Sequence, residues 1–289
     1  MKIELVSIHF WIIHILIIFG FMGGIFYKVS NILKGNLIID DKTSISSRWS
    51  KFWFLTRKFF KIIFSKKIGP ILAILISDCI IHVRLFRDNK LKWFAHTCIF
   101  WGLATLFILS VLSGIAVEIV PAFGYKVGSC GFIDALADKD FWGTALLNEW
   151  LNIIILFGIT IAFIRGFVIK KSKGLFMFQD IFLIIFIILI LVSGWLTEST
   201  RYIIEHTPGY IARMGYLGYY LSRFLQFTFW QVSEPGWAVG YRIFWHIHVS
   251  IVWMSFIYIP FSKFSHVLFS PLASILNVLE KRKHTGDRY

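Results

Sequence analysis

The sequence predicts an all-α, polytopic membrane helix bundle of five transmembrane helices, with the N-terminus outside, the C-terminus cytoplasmic and an amphipathic segment on the inner face. Three observations predict it. The 289-residue chain is 57% hydrophobic and 18% aromatic, with a mean hydropathy of +0.72, too apolar for a soluble globular domain. Five stretches, residues 5–27, 93–120, 147–168, 179–196 and 241–260, are long and apolar enough to cross a hydrocarbon core of about 30 Å. With the N-terminus outside, residues 28–92, 165–180 and 263–289 face inward and carry 23 of the 30 Lys and Arg residues, the bias of cytoplasmic loops.

The +14 net charge is therefore a topology signal and not a nucleic-acid footprint. Residues 1–289 are expected to form one multi-pass domain in the cytoplasmic membrane. The first stretch lacks the basic leading region and A-x-A-like site of a signal peptide and is expected to stay as a span. Cys79, Cys98 and Cys130 form no CxxC or CxxCH and read as packing residues, so no zinc ribbon or covalent c-type haem is expected.

The first inner connection interleaves aromatics with Lys and Arg over residues 48–67, the composition of a helix lying at the headgroup level. The apolar run "IGPILAILISDCIIHV" is short for a span, and a crossing there would put the basic residues 84–92 outside. It is expected to be re-entrant or interfacial, giving an amphipathic region over 48–90. The outer connection, residues 198–240, has turn chemistry at both ends in "EHTPGY" and "VSEPGW" and is expected to fold as a cap with a short helix near 210–226.

The fifth span carries histidines. His248 and His266 are 18 residues apart, five helical turns, so they share a helix face and stand roughly 27 Å apart along the axis. His246 points about 200° away from both. His96 opens the second span at the inner level of His266, and in the first span His14 and His9 lie roughly 14 Å and 6 Å from the outer end, within reach of the level of His248. Histidine pairs from different helices at two depths match two stacked b-type haems, with neutral imidazoles as axial ligands and both iron positions filled. His82, His206, His246 and His284 read instead as ordinary polar or interfacial residues.

The segments "IPFSKFSHVLFSPLASIL", "LKWFAHTCIFWGLATLFILS" and "FQDIFLIIFIILILVSGWLTE" carry a family likeness. The chain resembles the membrane cytochrome b subunit of heterodisulfide reductases (their E subunit), the membrane component linked to dissimilatory sulfite reduction (its M subunit) and the gamma subunit of respiratory nitrate reductase. The resemblance implies non-covalent haem b and electron exchange between a quinone, menaquinol-like, and a cytoplasmic iron–sulfur subunit, within a hetero-oligomeric complex. It implies that His96 and His266 ligate the inner haem and that His248 ligates the outer one. The nitrate reductase pattern has a second histidine ten residues into the second span, where this chain has Leu106. The fourth ligand then falls to His14 or His9, which lie about 140° apart on their helix, and depth favours His14. A single haem is the alternative.

Glu118, Glu198 and Arg201 lie at outer span ends and are candidate groups around a quinone site, each equally at home as an interfacial charge. The basic residues 48–67 and the C-terminal "EKRKH" are expected to dock the soluble partner or anionic lipid of the bilayer. A transporter is the rival class, and it would call for ionisable groups near the bilayer midplane, where none of the five spans has one. A bare membrane anchor is the third reading.

Overall fold

The computed structural model describes residues 8–34, 37–40, 43–63, 69, 72–73, 75–168, 178–262, 265–266 and 269–271. Five described helices are long and apolar enough to cross a membrane, Ile12–Ile32, Lys90–Phe123, Trp142–Gly166, Ile181–Ile204 and Glu234–Phe261. Each overlaps one predicted span. Most run further than hydropathy indicates, because helical hydrogen bonding continues through the aromatic and polar residues at the interface. The protein is a multi-pass, all-α membrane protein apart from one small ribbon.

The helices are α1 (Ile8–Ile32), α2 (Arg48–Ile63), α3 (Val83–Asp88), α4 (Lys90–Gly114), α5 (Gly131–Ala137), α6 (Trp142–Phe163), α7 (Phe178–Ile204), α8 (Gly209–Ala212), α9 (Tyr216–Thr228) and α10 (Glu234–Tyr258). The ribbon pairs β1 (Leu37–Asp40) antiparallel to β2 (Thr43–Ile45), with an irregularity between Ile38 and Asp40. The chain forms two compact units, one of Met1–Arg84 with Trp253–Tyr289 and the other of Leu85–Val252, and α10 contributes to both.

In the first unit, α1 packs on the 3-10 turn Ile259–Phe261 through glycine. A Cβ at Gly24 would come within 3.0 Å of Pro260 and Phe261, and Gly20, one turn earlier, faces Ile257. Small residues four apart let apolar helices approach where water supplies no hydrophobic drive. Helix α2 is pinned to the end of α1. Arg48 Nη1 donates to Ser30 Oγ at 3.2 Å, and the Lys51 ammonium, on a side chain buried to 1% exposure, donates to the Leu33 carbonyl at 3.1 Å, placing a cation at a helix C-terminus. Trp49, Phe52, Trp53 and Phe60 are exposed on α2 beside exposed Arg57 and Lys61, the expected interfacial composition.

Beyond α2, the described part of the doubtful apolar run is a π-helical turn, Leu75–Ile80, closed by His82 at φ 58°. No helix of spanning length occurs there among the described residues. The C-terminal "EKRKH", with His284, lies outside the described residues.

In the second unit, α4 starts at Asn89, whose side chain accepts from the Lys92 N–H at 2.9 Å. It leaves regular geometry at Ile115–Ile119, a π-turn that runs into Val120–Phe123 around Pro121 and stops at Gly124 (φ 81°). Proline cannot donate the helical hydrogen bond, and the wider turn and left-handed glycine absorb the break. Helices α4 and α6 interlock through glycines facing each other's bulk. A Cβ at Gly102 would strike Ile155, and one at Gly158 would lie 2.9 Å from the Ala95 carbonyl and from Cys98 and Ile99. Helix α7 runs on to Ile204 and takes the first seven residues of the expected cap, α10 takes the part from Glu234, and α8 and α9 lie between.

Gly158→Leu is expected to destabilise the purified protein by about 1–3 kcal/mol, because backbone blocks the added side chain. Gly114→Ala, with nothing within 4 Å of its would-be Cβ, is expected to be neutral or stabilising by up to about 1 kcal/mol. Thermal unfolding in detergent, followed by circular dichroism, reads both.

Candidate functional site

Helix α7 carries a run of hydroxyls in its second half, and an apolar surround forces each to find a partner. Ser193 Oγ donates to Leu189 O at 2.7 Å, Thr197 Oγ1 to Ser193 O at 2.8 Å and Thr200 Oγ1 to Leu196 O at 2.8 Å. Ser193 does more than back-bond. Its Oγ lies 2.9 Å from Nδ1 of His248 on α10. The single hydroxyl hydrogen goes to the helix carbonyl, so Oγ accepts and Nδ1–H donates. The Ile190 carbonyl is also within hydrogen-bonding reach of this imidazole. The Ser193 contact selects the tautomer with its proton on Nδ1 and its lone pair on Nε2. Gly194 completes the seat, since a Cβ there would lie 3.3 Å from His248 Cε1.

Five residues beyond Ser193, roughly 7.5 Å along α7, a second polar cluster begins. Arg201, 7% exposed, reaches Asp140 Oδ1 with Nη2 at 2.9 Å and Glu205 Oε2 with Nη1 at 2.7 Å. The Tyr202 hydroxyl donates to Glu198 Oε1 at 2.9 Å. Glu149 of α6 is 1% exposed, and its Oε1 accepts a long bond from the Gly218 N–H of α9 at 3.4 Å. The Glu149 and Glu198 carboxyls are within hydrogen-bonding reach of each other, yet Glu149 Oε2 has no donor. Gly218 makes room for them, as a Cβ there would lie 2.5 Å from Glu198 Oε2. Gly215 also lies against Glu198 and Tyr202.

Of the three carboxylate and arginine candidates read from the sequence, Glu198 and Arg201 enter this cluster. Glu118 does not, being exposed on the turn Ile115–Ile119. Glu149 and Asp140 are additions. The predicted third span began at residue 147, which left Glu149 at its margin. The helix begins at Trp142, so Glu149 lies two turns inside it. A lone acid in an apolar helix was the available signal.

The histidines sort as follows. His96 stacks on Phe100 with ring centroids 6.1 Å apart in the second unit, while exposed His266 belongs to the first. His14, in the first unit, accepts from Trp253 Nε1 at its own Nε2, 3.3 Å away, with the rings edge-on at 4.7 Å. His9 lies in α1. His246 is exposed, and His206 Nε2 is 2.6 Å from Glu234 Oε1. His82, read as an ordinary polar residue, is near His266. Burial pushes its imidazole below the ordinary value, the Ile80 carbonyl opposes that shift, and His266 adds to it.

Among the described residues no three His, Cys, Asp or Glu side chains form a metal-holding group. His248 is anchored through Nδ1 to Ser193 Oγ, the kind of outer contact that orients a metal-ligating imidazole. His14 has its Nε2 lone pair engaged by Trp253.

Comparison with known proteins agrees with the resemblance to heterodisulfide reductases. Over 132 residues the chain is 33% identical to the E subunit of the dihydromethanophenazine:CoB–CoM heterodisulfide reductase of Methanosarcina acetivorans, a stretch covering 46% of this chain and 47% of the relative. This chain is similar to the heterodisulfide reductase E subunit. The corresponding protein of Methanosarcina thermophila is 30% identical over 139 residues, covering 46% and 47%. The chain thus matches about half the length of these relatives. No protein-family model matches it, and no solved structure does.

Arg201→Met is expected to cost about 2 kcal/mol through loss of two charge-assisted hydrogen bonds. Asp140 and Glu205, at 32% and 44% side-chain exposure, can rehydrate, which keeps the loss below that of a fully buried pair. Thermal unfolding against wild type measures it.

Proposed function

We propose that this chain is the haem-b-bearing membrane subunit of a respiratory oxidoreductase complex in the cytoplasmic membrane. It passes electrons between a membrane quinone-like carrier, menaquinol-like in type, and a cytoplasmic iron–sulfur subunit. The observation that carries this reading is the Ser193–His248 pair, which holds an imidazole inside an apolar bundle with its Nε2 lone pair presented. Similarity to the heterodisulfide reductase E subunit supports a place in a hetero-oligomeric electron-transfer complex.

In this reading His96 and His266 hold the haem on the inner side, and His248 holds the outer one with His14. When bound, haem would supply one-electron exchange. The protein's own residues do the rest. Ser193 holds Nδ1 of His248 and so orients its ring. Trp253 must release Nε2 of His14 before that ring can turn to a metal. Glu198 and Arg201 stand where a carrier arriving at the outer side would give up its protons. Exposed Arg57 and Lys61 offer charge to an acidic partner.

A single-haem form is the second reading. The Trp253–His14 hydrogen bond and Leu106 in place of a histidine favour it.

Haem-difference spectra of purified variants test the assignment. His96→Ala or His266→Ala is expected to remove one haem and spare the other. His248→Ala is expected to remove the second, and His14→Ala to match it, while His246→Ala and His9→Ala keep both. Retention of both haems in His248→Ala would end the reading. Neutralising Lys58, Lys61, Lys66 and Lys67 together is expected to weaken copurification of the soluble partner at unchanged haem content. Unchanged copurification would assign these charges to lipid.

A further inference from the structure

We propose that Glu149 and Glu198 share one proton in the resting protein and form a proton-accepting site beside the His248 seat. The inference rests on the function proposed above for its role, and on geometry for its existence.

Two carboxyls from neighbouring helices are within hydrogen-bonding reach of each other, and the buried Oε2 of Glu149 has no donor. Each ionised carboxyl offers about four lone-pair positions and no hydrogen. The donors supplied are Tyr202 O–H to Glu198 and, to Glu149, the Gly218 N–H with the Leu217 N–H also in reach, and none of them meets Oε2 of Glu149. A buried carboxyl with a donorless oxygen, within hydrogen-bonding reach of a second carboxyl, is completed by a proton. Two unit charges at this separation in an apolar surround repel too strongly for both groups to ionise, so one proton stays.

Nearby charges do not replace it. Arg201 is the adjacent cation and favours a charge on Glu198, which leaves one negative charge on the pair, while both ends of its guanidinium donate to Asp140 and Glu205 rather than to either carboxyl. Asp140 adds negative potential at Glu198, and Tyr216 on α9 faces Glu149 as a neutral phenol. The 13-residue helix α9 presents its N-terminal end, through Gly218, to the one negative charge that remains. Gly215 and Gly218 are required at their positions because a Cβ at either would collide with the Glu198 carboxyl.

The site lies roughly 7.5 Å along α7 from Ser193, the residue that anchors His248. A carrier of the hydroquinone class oxidised there would release two protons, its two electrons going to the one-electron acceptors of the proposed haem-b system. One proton converts the singly charged pair to two neutral carboxyls, and the other leaves to water. The pair later returns its extra proton to the outer solution and regains its single charge.

Infrared spectroscopy of the oxidised, purified full-length protein in H2O and D2O tests the shared proton directly. The expected result is a carboxylic-acid C=O band at neutral pH that moves on deuteration. It should shift or vanish in Glu149→Gln and in Glu198→Gln alike, and be absent from the double variant. No such band in wild type, or an unmoved band in Glu198→Gln, would overturn the proposal. Circular dichroism confirms that the isosteric variants fold. The resting band does not depend on haem, so a protein lacking haem but keeping the band would refute the function and leave the pair standing. The reverse result would refute the pair alone.

Discussion

Every polar side chain carried into hydrocarbon must meet its partner there, and α7 is where this chain arranges those meetings. Its hydroxyls at 193, 197 and 200 bond back to carbonyls one turn earlier, which satisfies them without help from another helix. Ser193 has accepting capacity left over and directs it to His248. Glu198, Arg201 and Tyr202 follow on the same helix and recruit Glu149, Asp140 and the start of α9. Without the glycines at 194, 215 and 218, neither imidazole nor carboxyl could come this close to a neighbouring backbone.

The spans were legible because about twenty apolar residues in a row admit few other readings. Helix α2 was legible from its basic and aromatic alternation. The ends of the helices were not, since Trp142 to Leu146 and Glu234 to Gly240 mix polarity yet keep the helical ladder. That boundary error hid Glu149. Hydropathy placed it at a membrane surface, whereas its helix buries it almost completely.

His248 was singled out by periodicity, and the structure adds why it is held. A serine–glycine pair in "VSGW" could have been noticed as a place for a ring to rest, but only the fold shows which ring. Glu118 shows the opposite case. It shares a depth with Glu198 in the sequence, yet Pro121 and the π-turn leave it on the exposed side. The basic residues of α2 divide in the same way. Arg48 and Lys51 are used up in fastening α2 to α1, and Arg57 and Lys61 remain outside.

The function proposed above makes one physical claim, that the apolar bundle would insulate imidazole-bound iron within the membrane. Haem quantification on the purified chain, as a pyridine haemochrome with a reduced-minus-oxidised spectrum, tests it most directly. The predicted result is b-type bands at two haems per chain. A well-folded protein with no b-type haem would contradict it.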